Sequence, residues 1–208
     1  MSKSVRLYHD YASPFSYLAT TQIEGVCADR RAELIWHPML LGAVFKQVQM
    51  ENVPLLAMSP AKQRHYRQDI ARYARYYGVP FAFPSRFPMR TVDALRLTLA
   101  VQAGSDDDAV RLTHRIYRAY WVEDRDIADR TVLAALLKEL ELAAEDALDQ
   151  LDDPAIKQAL FDNTAQAVEA GVFGAPTFVI DDRELIWGQD RLPLLRWMLS
   201  TAADLQGS

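Results

Sequence analysis

Cysteine is almost missing from this 208-residue chain. Cys27 stands alone, which excludes an intrachain disulfide, a dithiol redox centre and a multi-cysteine metal site. The four histidines, His9, His37, His65 and His114, show neither H-x-x-x-H nor H-E-x-x-H spacing, so no metal site is expected. No apolar run approaches the ~18–20 residues that a membrane-spanning helix needs. The N-terminal residues lack the apolar core of a signal peptide. No membrane association is expected, and the location expected is cytoplasmic. An excess of positive charge is also missing. The net charge is −5, which argues against general nucleic-acid binding. There is no internal repeat and no low-complexity linker.

Half the residues are hydrophobic and 25% are charged, the balance of a globular chain able to bury a core. The length suits one domain, or one domain carrying a large insertion. Charge is distributed unevenly. Residues 1–103 carry 13 Lys/Arg against 7 Asp/Glu, and residues 104–153 carry 6 against 14. Lys62, Arg64, Arg67, Arg72, Arg75, Arg86, Arg90 and Arg96 crowd one stretch. That stretch reads as a solvated helix face or as a positive rim attracting a small carboxylate.

Val5-Arg6-Leu7-Tyr8 alternates as a strand does, and Ser13-Pro14 supplies an N-cap followed by a first-turn proline. Leu18, Ala19, Ile23 and Val26 recur at helical spacing, and Leu34-Ile35-Trp36-His37 reads as a second strand. A β-α-β opening favours a parallel pair with a right-handed crossover. The middle is helical. Tyr66, Ile70, Tyr73 and Tyr77 line one helix stopped by Gly78, Thr91 can cap the next, and Asp153-Pro154 starts another. Thr177-Phe178-Val179-Ile180 and Glu184-Leu185-Ile186-Trp187 flank a short turn and read as a hairpin. Gly188-Gln189-Asp190 then opens a last helix. The simplest architecture is a small α/β domain interrupted by helices.

Two places could carry chemistry. The first is Ser13-Pro14-Phe15-Ser16, where unpaired N–H groups and partial positive charge gather at a helix start. The second is Gly174-Ala175-Pro176-Thr177, a proline at the entry to a strand, a position where the cis form is frequent. Taken alone, Ser13 is a helix cap, Ser16 part of that cap, Asn52 a turn residue, Asp190 an N-cap and Arg191 a surface charge. Trp36, Trp121 and the tyrosine stripe read as core, and Cys27 as a buried helix residue.

The two-part constellation resembles the thioredoxin superfamily, which opposes C-P-x-C to a cis-proline loop; here serines stand at both cysteine positions. The element order looks like the disulfide-bond-forming branch. The segment Asp10 to Ala19 is similar to the N-terminal signature of 2-hydroxychromene-2-carboxylate isomerases, with kappa-class glutathione transferases as close relatives. Trp36-His37-Pro38, Asn52-Val53-Pro54, Tyr120-Trp121, Gly171 to Pro176 and Trp187 to Arg191 extend the resemblance over nearly the whole chain.

The resemblance implies an α/β thioredoxin-like domain at residues 1–40 and 151–208, with an all-helical insertion at 41–150. It implies glutathione as cofactor. Ser13 would activate the thiol, and Pro14 and Phe15 would line its sulfur end. Asn52 would meet the tripeptide, Ala175 would pair its backbone with it ahead of cis-Pro176, and Asp190 and Arg191 would hold the γ-glutamyl end. Lys46, with Arg90 as second choice, would meet the carboxylate of a small aromatic keto acid. The implied reaction interconverts 2-hydroxychromene-2-carboxylate and trans-o-hydroxybenzylidenepyruvate in a homodimer. The alternatives are a kappa-type conjugating transferase and a redox-inactive thioredoxin-like binding module. Phe15 where the family often has tyrosine, and His9 where an aromatic is common, bear on substrate preference.

Overall fold

A computed structural model describes residues 2–200, apart from the side chains at positions 144 and 145. Strands β1 (Ser4–His9) and β2 (Glu33–Pro38) flank helix α1 (Pro14–Asp29). Eight helices follow: α2 (Leu41–Gln47), α3 (Pro54–Ala57), α4 (Pro60–Tyr77), α5 (Val92–Gln102), α6 (Asp106–Trp121), α7 (Arg130–Glu139), α8 (Ala144–Asp149) and α9 (Pro154–Glu169). Strands β3 (Thr177–Ile180) and β4 (Glu184–Trp187) and helix α10 (Leu192–Met198) complete the order. This is a thioredoxin-like α/β fold with a large helical insertion between β2 and β3.

The local reasons are short-range. Ser13, Ser59 and Asp153 cap α1, α4 and α9 through their side chains, and each is followed by proline at the first helical position. Gly78 ends α4 in the left-handed conformation at φ +69°, where a Cβ would be strained. Asp106, Asp107 and Asp108 occupy the first turn of α6, where the helix dipole favours negative charge.

The sheet order is β2-β1-β3-β4, with β1 and β2 parallel and the other pairs antiparallel. Alternation sends Val5 and Leu7 to one face, against Ala19, Ile23 and Val26 of α1 and Leu192 and Leu195 of α10. Tyr8 and Val179 face the other way, against Leu41, Val44 and Phe45 of α2 and Ala167 of α9. A third core lies among the helices, around the fully buried Tyr117, Tyr120 and Trp121. It also takes Tyr17 and Leu18 from α1 and Leu160 from α9, so both helices serve sheet and insertion together.

Register decides where the site forms. His9 lies opposite Pro38, Tyr8 opposite Thr177, and Thr177 opposite Trp187. Four connections therefore gather at one end of the sheet: the loop from β1 to α1, the loop from β2 to α2, the entry to β3 and the exit from β4.

Candidate functional site

The α1 start and the cis-proline loop meet directly. The Ser13 hydroxyl donates to the Ala175 carbonyl at 2.8 Å and accepts from the Ser16 N–H at 3.1 Å. The Ala175–Pro176 peptide is cis. Pro14 has no N–H to donate, and among the described residues no acceptor meets the Phe15 N–H. The junction thus holds one hydroxyl and one free backbone donor at the positive end of a 16-residue helix. It is tightly closed, with Ser13 only 5% and Ala175 8% exposed. The Phe15 ring packs edge-on against Tyr66 of α4. Ser16, fully buried, bonds Ser13 through its N–H as part of the cap, while its own hydroxyl has no partner among the described residues.

The cis-proline loop is braced on three sides. The Thr177 hydroxyl donates to the Gly174 carbonyl at 2.7 Å, and the Gly188 N–H donates to the Pro176 carbonyl at 3.0 Å. The Trp187 indole lies so close over Gly174 that an added Cβ would sit 2.6 Å from its Nε1. The Gly188 bond also ties the loop to Asp190 and Arg191. Asp190 is no N-cap: it sits within a 3-10 turn, Gln189–Arg191, and Arg191 holds the N-cap position of α10. Gly188, at φ +106°, lets the Asp190 carboxylate fold back to within 2.5 Å of where a Cβ would stand. Both Asp190 and Arg191 are exposed, with Arg191 Nε 3.7 Å from Asp190 Oδ2. The Tyr77 hydroxyl of α4 donates to the Gln189 carbonyl at 3.0 Å, steadying this turn from the insertion.

The other expected residues stand outside this contact. Asn52 lies between α2 and α3, with its amide oxygen against Gly42 of α2. Lys46 is exposed in the last turn of α2, and no ion pair or side-chain hydrogen bond holds it among the described residues. Arg90 instead faces Asp93 at 3.5 Å. Thr91 stands at the N-cap of α5 without making the capping bond.

Asp10 is the residue that reading the chain missed. Its fully buried carboxylate accepts from the Ala12 N–H at 3.0 Å and the Leu41 N–H at 2.8 Å. Burial pushes its pKa up and these bonds oppose that shift. Its backbone carbonyl accepts from the Ser13 N–H and from the Tyr117 hydroxyl, each at 3.1 Å. One acid therefore ties the α1 start, the α2 start and α6 together. Beside it, His9 Nδ1 lies 3.2 Å from the same Tyr117 hydroxyl, and burial lowers the His9 pKa to about 3, with His37 and His114 adding to the effect. The Trp121 indole donates to the Tyr11 carbonyl at 2.9 Å. The insertion thus grips the β1–α1 loop from below. A cavity of about 770 Å³ between α1, β2, α5 and α6, lined in part by Cys27 and Trp36, lies apart from the cis-proline loop.

Among the described residues no helix is long and apolar enough to cross a membrane, and no group of three or more His, Cys, Asp or Glu side chains could hold a metal ion. The chain is similar to a 2-hydroxychromene-2-carboxylate isomerase of Pseudomonas putida, 30% identical over 92% of this chain and 91% of that one. It is also similar to glutathione S-transferase kappa 2 of Caenorhabditis elegans, 29% identical over 92% of this chain and 89% of that one. A solved 2-hydroxychromene-2-carboxylate isomerase structure superposes with a TM-score of 0.80 at 25% identity, covering 94% of each chain. The model of the DSBA-like thioredoxin domain matches residues 4–200. The meeting of a capped α1 start with a cis-proline loop, carried on this topology and matched over nearly the whole chain, makes the protein a member of the DSBA-like thioredoxin domain family.

Proposed function

We propose that the protein is a glutathione-dependent isomerase of a small aromatic keto acid, interconverting 2-hydroxychromene-2-carboxylate and trans-o-hydroxybenzylidenepyruvate. The observation that carries the reading is Ser13: an alcohol caps α1 and faces the cis-proline loop, where the thioredoxin superfamily places its first cysteine. Dithiol exchange is impossible there, yet the Ser13 hydroxyl and the free Phe15 N–H suit an anionic sulfur.

Glutathione, when bound, supplies a thiol nucleophile that adds reversibly to a conjugated double bond and so allows rotation about it. Everything else falls to the chain. A free thiol titrates near ~8.5 and is only a few per cent ionised at neutral pH. A hydrogen bond to a charged group contributes about 1.5–3 kcal/mol and a helix N-terminus about 0.3–1 kcal/mol. At ~1.36 kcal/mol per pKa unit, the two together lower the thiol by about 1.3–3 units, which brings the thiolate from a few per cent to a large fraction near pH 7. The Ser13 hydroxyl has one proton, which the Ala175 carbonyl now receives, so engaging sulfur requires the hydroxyl to turn while its oxygen keeps the Ser16 cap.

In this reading Pro14 and Phe15 line the sulfur end, and the Ala175 backbone pairs with the tripeptide beside Pro176. Asn52 contacts the tripeptide, while Asp190 and Arg191 hold its γ-glutamyl end. Lys46 binds the substrate carboxylate and stabilises charge spreading into the keto acid. The working enzyme is a cytoplasmic homodimer, with residues 1–40 and 151–208 as one domain and 41–150 as the other. Calorimetry with glutathione, and ultraviolet absorbance of the isomerisation with and without it, test the reading. Ser13→Ala loses most turnover and keeps the fold; near-normal turnover in that variant ends the argument. The kappa 2 relative supports a second reading, in which the same site releases a thioether. Glutathione is then consumed rather than returned. Absence of glutathione binding at millimolar concentration favours a bare binding module.

A further inference from the structure

A groove of about 480 Å³ runs between α2, α5 and α9, within the size range of small-molecule sites. Its walls are largely apolar, with Leu40 at the N-cap of α2, Val92 from α5, and Leu160, Phe161 and Val168 from α9. Phe161 is 66% exposed at its rim, far more than a phenyl ring in a settled core. The Thr164 hydroxyl in the groove is already engaged, donating to the Leu160 carbonyl and accepting from the Leu40 N–H.

Arg96 of α5 is the unsettled group. Its side chain is 21% exposed, yet none of its five N–H donors makes a hydrogen bond among the described residues, and its Nε is fully buried without a partner. Asp93 is the nearest carboxylate. It lies 4.0 Å away, and Arg130 at 3.0 Å and Arg90 at 3.5 Å compete for it. Arg130 also bonds Asp152 at 2.9 Å, and Lys157, another groove residue, reaches Asp152 at 3.3 Å. The connected network therefore has four cations, Arg90, Arg96, Arg130 and Lys157, for two carboxylates, Asp93 and Asp152. Glu169 lines the groove from the last turn of α9, ~18 Å along the helix from Lys157 at 1.5 Å per residue. It does not join the network. The Nε–H, cut off from water and without an acceptor, is costly to leave unmade, and a planar carboxylate matches the guanidinium fork.

We propose that this groove is a binding site for a small amphipathic carboxylate, with its anionic head on Arg96, Lys157 near the rim, and an aromatic or branched body across Val92, Phe161 and Val168. The site is separate from the Ser13 junction, and the inference does not rest on the isomerase reading. Its ligand is the class defined by one carboxylate and a hydrophobic body of about ten carbons, the size the volume admits.

The probe is 2-naphthoate, with 2-naphthalenemethanol as its neutral counterpart. Titration is followed by amide chemical shifts of the intact protein. The expected result is saturable binding of the acid, with shifts centred on Ala43, Val92 and Ala165, and binding of the alcohol about ten- to a hundredfold weaker. Arg96→Met, which keeps the aliphatic packing, weakens the acid by the same factor and leaves the alcohol unchanged. Should Arg96→Met fail to fold, Phe161→Ala at the exposed rim serves in its place and weakens acid and alcohol together. Equal affinity for acid and alcohol overturns the proposal. So does wild-type affinity in Arg96→Met, or in Phe161→Ala, or shifts centred on Phe15 and Ala175.

Discussion

At the scale of single residues, Ser13 and Asp10 divide the work of the junction. Ser13 caps α1 and also satisfies the Ala175 carbonyl, so truncation removes two bonds. Ser13→Ala is expected to lower stability by about 1–2 kcal/mol, the range for a lost N-cap, read from urea unfolding. A loss of turnover far beyond what that fraction unfolded explains separates its chemical part from its structural one. Asp10 has no surface to contribute. Its carboxylate accepts two backbone N–H groups that no other acceptor reaches. Asp10→Asn presents an amide NH₂ to one of them and should cost about 1–3 kcal/mol. Unchanged urea midpoints would show that a rotated amide or water satisfies both groups. The Ser13-Pro14 cap and the Pro176 loop were legible in sequence because each is a local signal. Asp10 was not, because its partners Leu41 and Tyr117 lie 31 and 107 positions away in the chain.

At the scale of elements, the same contrast explains what a linear reading captures. β1, β2 and the β3–β4 hairpin follow from alternation and turn residues, and α4 and α9 from caps and stop signals. Thr91 shows the limit. Its residue type and position suit a cap, but its side chain makes no capping bond, because residue type alone does not fix the rotamer that a cap needs. The start of α10 shows another. Gly188-Gln189-Asp190 looks like a cap, yet the bond from Gly188 to Pro176 pulls the chain into a 3-10 turn first. That turn depends on α4. Removing the Tyr77 hydroxyl with Tyr77→Phe should leave secondary structure unchanged and cost about 0.5–1.5 kcal/mol. Because the bond steadies Gln189 beside Asp190 and Arg191, glutathione affinity should fall in calorimetry while the spectrum of the folded protein does not move. Equal affinity would detach the turn from the tripeptide.

At the scale of the whole molecule, charge and burial set how the protein meets changes of pH. Within the acidic stretch Arg115, Arg118 and Arg125 form one ion-pair cluster with Glu123 and Glu139. By contrast Lys62, Arg64, Arg72 and Arg75 of α4 have no ion pair among the described residues, and Arg67 stacks on Phe83. Such exposed charges contribute little to stability. The titrating groups that matter are the buried histidines. His9 is lowered to about 3 and His37 to about 4, in both cases chiefly by burial, against an unfolded value near ~6.5. Between those limits the unfolded chain binds more protons than the native one, so stability is full above pH ~6.5 and declines as the pH falls toward the native values. From pH 7 to pH 5 each histidine should cost about 2 kcal/mol. Asp10 acts in the opposite sense, because its raised pKa makes the native state the better proton acceptor there. His9→Phe keeps a ring among Tyr11, Trp36 and Tyr117 and removes one of the two titrations. Urea unfolding at pH 7, 6 and 5 should therefore show a shallower decline in the variant, by about one histidine's share. Parallel declines in variant and parent would mean that His9 takes up its proton without opening the fold.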